Sequence, residues 1–238
     1  MFRTFALMLV LWILAGSVVQ AGEQVVIELI EPISESRWPL DDQQVTERYE
    51  LPEQFVLGLS TLQPRKNFEG LVKAFRQLLA DTCDKEGLSD LHLVICGGSG
   101  WMHEGIDELV RSYGLHDRVH FPGYVLDDDL PALYSLADVF AFPSWYEGFG
   151  LPVLEAMACG TPVVAADNSS LPEVVGRGGL MTNAGDHHAL ADALALVLTG
   201  PDLRASLVTA GRAQAARFSW SEAAQRLLDI YRRFAQRR

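Results

Sequence analysis

A chain of 238 residues with 49% hydrophobic content is long enough to bury one large core or two small ones, a globular composition. The formal net charge of -12 argues against a general nucleic-acid binder, because phosphate backbones are held mainly by clustered Lys and Arg. Cys83, Cys96 and Cys159 are far apart, odd in number and without C-x-x-C or Cys/His spacing, which suggests neither a disulfide framework nor a metal site, and Cys96 and Cys159 read as small core residues.

Taken in chain order, the first 22 residues differ from the rest. The segment "MFRTFALMLVLWILAGSVVQAG" carries one early arginine, an apolar run from Phe5 to Ala15 and a small-residue end at Val19 to Ala21. That is the pattern of a cleavable signal peptide. Left uncleaved, it is a short membrane anchor, and a third reading makes it a foreign start joined to a truncated gene. Residues 23–52 read as a linker or the remnant of a preceding domain, with "VVIELI" as a strand and the acidic "EPISESRWPLDDQQ" as extended chain with two prolines.

From Phe55 onward short apolar runs alternate with helical periodicity. The run "FVLGLS" is followed by a helix over Phe68 to Ala80, with Leu71, Val72, Phe75, Leu78 and Leu79 on one face. Next come the strand "LHLVIC", a helix over Glu104 to Tyr113, the strand "VHF", a helix over Asp129 to Ala137 and the strand "DVFAFP". A helix over Leu151 to Ala158, closed by Gly160, leads to the strand "PVVAA", and three mainly helical segments run from His187 to the end. Such units predict one Rossmann-like α/β domain over residues 53–238, a parallel sheet with helices on both faces.

In a sheet of this kind ligands bind beyond the carboxyl ends of the strands, which singles out "STLQPRKN", "GGSGW" and "PSWYEGFGLP". In the last of these a helix starts near Leu151 with Pro152 in its first turn. The amides of Phe149, Gly150, Leu151 and Val153 are then free donors at the positive end of a helix dipole, a setting that suits phosphate, and Gly148 and Gly150 let the backbone come close. Lys66 sits where it could meet the same phosphate, although the dipole disfavours a cation before a helix. On the residues alone the plainer reading stays open: a simple strand-to-helix turn, a surface lysine, and Glu147 and Glu155 as solvated charges. "GGSGW" does not complete G-x-G-x-x-G. Asp127 to Asp129 read as the N-cap of a helix with Pro131 in its first turn, and His187 and His188 lack partners at metal-ligand spacing.

Together "VLGLSTLQPRKN", "VHFPGYV", "DVFAFPSWYEGFGLPVLEAMACGTPVVAA" and "NSSLPEVVG" resemble the C-terminal, nucleotide-sugar-binding domain of the family 4 retaining glycosyltransferases, which have the two-domain GT-B fold. The likeness runs from about Tyr49 to Ala235, and the E-x7-E pattern of Glu147 and Glu155 is its most specific part. It implies a bacterial hexosyltransferase of surface-polysaccharide type that needs no metal or other cofactor. Its donor is a nucleotide diphosphate sugar, with GDP-mannose suggested by "TLQPRKN", and its acceptor a saccharide or a lipid-linked one. By resemblance Glu147 meets donor-sugar hydroxyls, Glu155 holds the ribose, and Lys66 and the amides of Phe149 to Leu151, in the loop with Gly148, hold the diphosphate. Tyr124 and Val125 complete the donor contacts. Many members carry an arginine where Ser60 and Thr61 stand, so Arg65 is expected to substitute. The family's N-terminal, acceptor-binding domain does not fit in this chain, which makes a separate acceptor domain the expected partner. A non-catalytic nucleotide-sugar-binding or interaction module is the alternative, whereas a glycosidase using the two glutamates leaves the phosphate loop without purpose. Donor supply places the domain in the cytoplasm, at the membrane if the leader is an anchor, against the signal-peptide reading.

Overall fold

The computed structural model describes residues 42–82, 88–98 and 103–235. The leader, the run VVIELI, Cys83 and residues 99–102 of the GGSGW loop lie outside them. Short apolar runs bounded by turn residues form β1 (Phe55–Leu59), β2 (His92–Cys96), β3 (Val119–Gly123), β4 (Val139–Phe142), β5 (Val163–Ala166) and β6 (Gly179–Thr182). The sheet order is β3-β2-β1-β4-β5-β6 and every neighbouring pair is parallel. The chain therefore winds from the middle to one edge, returns, and winds to the other. Between β1 and β4, paired at Val56 with Val139 and Leu57 with Phe140, the connections leave in opposite directions and open a crevice.

Nine helices among the described residues cover the sheet: α1 (Asp42–Tyr49), α2 (Phe68–Thr82), α3 (His103–Ser112), α4 (Leu130–Leu136), α5 (Leu151–Cys159), α6 (Leu171–Val175), α7 (His187–Thr199), α8 (Pro201–Ala215) and α9 (Trp220–Ala235). Because strand side chains alternate, Val56, Leu93, Ile95, Val139 and Val164 turn to one face, under Phe75 of α2, Ile106 of α3 and Leu194 of α7. Phe55, Leu57, Val94, Phe140 and Val163 turn to the other, under Val45 of α1, Leu133 of α4, Met157 of α5 and Val174 of α6. Each such side chain contributes roughly 1.5–3 kcal/mol by leaving water. The two-faced α/β sheet is thus the one the alternating pattern predicts. Cys96 is buried in it, and burial pushes its thiol up to about 12. No single described helix is long and apolar enough to cross a membrane.

Two local expectations are corrected. Asp42–Tyr49 lies within residues 23–52, expected as linker or domain remnant, and overlaps the run EPISESRWPLDDQQ, expected to be extended, at 42–44; it is a helix because Val45, 1% exposed, packs into the core. Its last turn also closes over the buried Asp129 carboxylate: Arg48 Nη1 and Tyr49 Oη donate to Asp129 Oδ2 at 2.6 and 2.7 Å, and Tyr49 Oη accepts from Leu126 N at 3.1 Å. Asp129 does occupy the N-cap position of α4, but its side chain makes no cap bond. At 1% exposure the carboxylate is better served by a charge-assisted donor than by an amide.

Arg48→Ala leaves that carboxylate buried with one neutral donor. Stability is expected to fall, and to fall less in Asp129→Asn, which removes the buried charge itself. Urea unfolding followed by circular dichroism ranks the two; the opposite order, or no effect of Arg48→Ala, contradicts the role assigned to α1.

Candidate functional site

The loop after β1 is shaped by a 3-10 turn, Pro64–Lys66, and by Asn67 in the left-handed conformation with φ 57° and ψ 37°, which asparagine tolerates better than most residues. Asn67 Nδ2 donates to Pro143 O at 3.1 Å and Ala184 O at 2.8 Å, and Trp145 N donates to Arg65 O at 2.8 Å. Loops from β1, β4 and β6 are thereby laced together over the switch-point crevice. Sequence reasoning missed Asn67 as an organiser, although it ends the "PRKN" motif.

At the centre lies an ion pair. Lys66 Nζ donates to Glu147 Oε1 at 2.5 Å, and both side chains are 9% exposed. Arg65 Nη1 donates to Glu147 Oε2 at 3.1 Å and to Tyr146 O at 3.2 Å from a half-exposed position. Lys66 Nζ also stands 5.2 Å from the centroid of the Phe142 ring, within cation–π range. Burial pulls the ammonium below its ordinary value, and the Glu147 carboxylate opposes that shift. The readings of Lys66 as a surface lysine and Glu147 as a solvated charge are therefore excluded. Arg65, expected to take the place of a missing arginine at the phosphates, stands beside Lys66 with its guanidinium on the other oxygen of the Glu147 carboxylate.

The EGFG loop is braced by the loop after β5. Glu147 N donates to Ser169 Oγ at 3.0 Å, and Ser170 Oγ donates to Glu147 O at 3.1 Å and Phe149 O at 2.9 Å. The run "NSSLP" thus owes its place in the pattern to these hydroxyls. Gly150 stands at φ 104° as the N-cap of α5, where a Cβ would lie 2.8 Å from Leu171 Cδ2, so glycine is required. The amides of Phe149, Gly150 and Leu151 donate to no described group, as the start of a helix leaves them. Val153 is the exception to expectation: its amide turns back to Gly150 O at 3.0 Å and is not free. Gly148 is exposed and nothing lies within 4 Å of a Cβ built there.

Glu155, in the second turn of α5, is half-buried and accepts from Tyr134 Oη at 3.1 Å. Tyr134 is fully buried, which drives its hydroxyl well above its ordinary value and keeps it a donor. This tyrosine, missed in the sequence, holds one carboxylate oxygen in place. Beyond β3, Tyr124 is 63% exposed, while the Val125 side chain is buried in the core at 4%. Any contact Val125 makes with a ligand therefore comes from its backbone.

Lys66→Ala would leave Glu147 buried beside the half-exposed Arg65 alone. Breaking a buried pair in this way is expected to cost about 3 kcal/mol, and Lys66→Met combined with Glu147→Gln to recover most of it. Chemical denaturation of Lys66→Ala, Lys66→Met, Glu147→Gln and the double variant measures this, and additive losses in the double variant relative to its two single substitutions contradict the pairing.

Residues 42–214 match the family described as glycosyl transferases group 1. The O-antigen chain mannosyltransferase B of Escherichia coli is 37% identical over 197 residues, 82% of this chain and 50% of that protein. Among solved structures, the sucrose-phosphate synthase of Thermosynechococcus elongatus aligns with a TM-score of 0.70 at 32% identity, covering 82% of this chain and 49% of that one. Anabaena HepE in complex with UDP-glucose aligns at 0.69 and 25% identity, covering 83% and 53%. The chain spans about half the length of these relatives, and the half it matches is one Rossmann-like domain of a GT-B fold. A family match across most of the chain, with a fold alignment at a TM-score of 0.70, makes this chain a member of the glycosyl transferases group 1 family.

Proposed function

We propose that residues 53–238 form the donor-binding domain of a retaining, family 4 hexosyltransferase, which moves a hexose from a nucleotide diphosphate sugar to a saccharide or lipid-linked acceptor. The observation that carries this reading is the convergence of Lys66, Arg65 and Glu147 beside the unpartnered amides of Phe149 to Leu151, in the crevice between β1 and β4. A diphosphate is the anion that such cations and amides suit. Glu147 then turns from Lys66 to the donor-sugar hydroxyls, Glu155 takes the ribose hydroxyls with Tyr134 holding it, and Tyr124 and the Val125 backbone contact the rest of the donor. No metal or other cofactor is needed for these roles.

The charges that will meet ligand neutralise one another in the structure. A donor bearing both phosphate and hydroxyls replaces each partner at once, whereas a free nucleotide satisfies Lys66 and leaves Glu147 facing a like charge. In the transfer, the bond from the anomeric carbon to the diphosphate breaks, the acceptor oxygen attacks from the same face, and its proton leaves with the diphosphate oxygen. Charge developing on that leaving group is met by Lys66, Arg65 and the amides. Mannose as the sugar, from GDP-mannose, is supported by the Escherichia coli mannosyltransferase, and the ligand class by the UDP-glucose bound to HepE. Such a donor places the reaction in the cytoplasm, at the membrane for a lipid-linked acceptor.

This domain supplies one wall of the cleft. Positioning an acceptor contributes roughly 7–11 kcal/mol at best, and it requires an acceptor-binding domain opposite.

Calorimetric titration with GDP, GDP-mannose, UDP and UDP-glucose separates the roles. Glu155→Gln is expected to weaken nucleotide and sugar nucleotide alike, by about tenfold for one charge-assisted bond. Glu147→Gln is expected to erase the preference for the sugar nucleotide while free diphosphate binds as well or better. Equal loss of free nucleotide in both variants contradicts the assignment. With saccharide acceptors the chain alone is expected to bind donor and transfer little, and an added acceptor domain to restore transfer; robust transfer by the chain alone, abolished by Glu147→Gln, contradicts the need for a second wall.

A further inference from the structure

A cavity of about 310 Å3 opens next to the crevice, on the α2 and α7 side of the sheet, and its walls include Trp145, Gln63, Glu69, Lys73, Gly185 and His187. These residues come from the loops after β1, β4 and β6 and from the first turns of α2 and α7, so the cavity shares the ligand-facing end of the sheet with the crevice. Lys66, Glu147 and Glu155 are not among its lining residues. The volume stands at the small end of ligand pockets, roughly 300–1,000 Å3.

Its walls are pre-formed. Trp145 is 51% exposed, its backbone N–H donates to Arg65 O at 2.8 Å, and the edge of its indole lies over Gly185, where a Cβ would meet Cη2 at 3.5 Å and Cζ3 at 3.7 Å. Asn67, also in the lining, ties the β4 and β6 walls together through Pro143 O and Ala184 O. A half-exposed indole in the wall of a cavity is a platform for an apolar ring face.

The polar lining narrows the ligand class. One carboxylate, Glu69, and one ammonium, Lys73, offset each other in charge, and Gln63 adds both a donor and an acceptor. A phosphate would face Glu69 and a cation would face Lys73. A neutral polyhydroxylated ring offers one apolar face to the indole and hydroxyls of both hydrogen-bonding senses to the rim. We propose that this cavity is a glycan subsite, in which Trp145 stacks on a neutral sugar unit of the acceptor chain. Trp145 stands two residues before Glu147, so a glycan resting on it passes beside the crevice where the donor sugar would lie. The inference rests on the transferase reading and gives it an acceptor contact within this domain.

The test is a two-dimensional amide NMR titration of the full chain with two neutral probes, mannotriose and maltotriose, with the charged probe mannose 6-phosphate, and separately with GDP and UDP. At least one trisaccharide is expected to shift Gly70, Gly185 and the Trp145 indole N–H, while a nucleotide shifts residues 147–151. Trp145→Ala is expected to weaken the trisaccharide at least tenfold, Trp145→Phe to retain most of the affinity, and neither to change nucleotide affinity. Nucleotide binding without a pocket response to either trisaccharide overturns the subsite, as does unchanged trisaccharide affinity in Trp145→Ala. Preferential binding of mannose 6-phosphate there overturns the neutral class. Failure of both nucleotides to shift residues 147–151 counts against the transferase reading itself.

Discussion

The structure turns on one buried ion pair at the point where the sheet reverses its winding. Taking an ammonium and a carboxylate out of water costs several kcal/mol each, and their attraction offsets this only when geometry and further hydrogen bonds are good. Here the added partners are present: Arg65 on the second carboxylate oxygen, the Phe142 ring near the ammonium, and Ser169 on the Glu147 amide. A stability requirement alone would be met as well by two apolar side chains of similar volume. On the function proposed above, the pair is a site held ready, its two charges satisfying each other until a donor carrying both anionic and hydroxyl groups separates them.

That requirement explains why so much of the surrounding loop structure is spent on bracing. Asn67 ties three strand ends together, the two serines after β5 clamp the EGFG turn, and Tyr134 reaches from the core to steady Glu155. None of these residues carries ligand chemistry of its own. Each limits the freedom of a residue or loop to which the proposed reading assigns a donor contact, which is how a site on loops attains the precision of a site on rigid elements. The apolar layers on both sheet faces give these braces a fixed frame.

Much of this was legible in the sequence, and the reasons are local. Strands such as FVLGL and LHLVIC are continuous apolar runs because both sheet faces are covered, and α2 shows its buried stripe at helical spacing. The EGFG turn and the α5 start are visible from Gly150 and Pro152 alone. What was not legible depends on contacts between distant segments. The helix at Asp42–Tyr49 has few apolar residues and forms because Val45, Arg48 and Tyr49 find partners about 80 residues away. β6, an edge strand with a single buried residue, lacks the apolar run that marks its neighbours. Lys66 looked misplaced before a helix; its place is set by Glu147, 81 positions on, which no local dipole argument contains.

The most direct measurement is a crystal structure of the chain with GDP-mannose or UDP-glucose bound. The account predicts the diphosphate against Lys66, Arg65 and the amides of Phe149 to Leu151, with the Lys66–Glu147 contact broken and the Glu147 carboxylate on the sugar hydroxyls. A nucleotide sugar bound elsewhere on the sheet, or bound in the crevice with Lys66 still on Glu147 and no cation on the diphosphate, would contradict it.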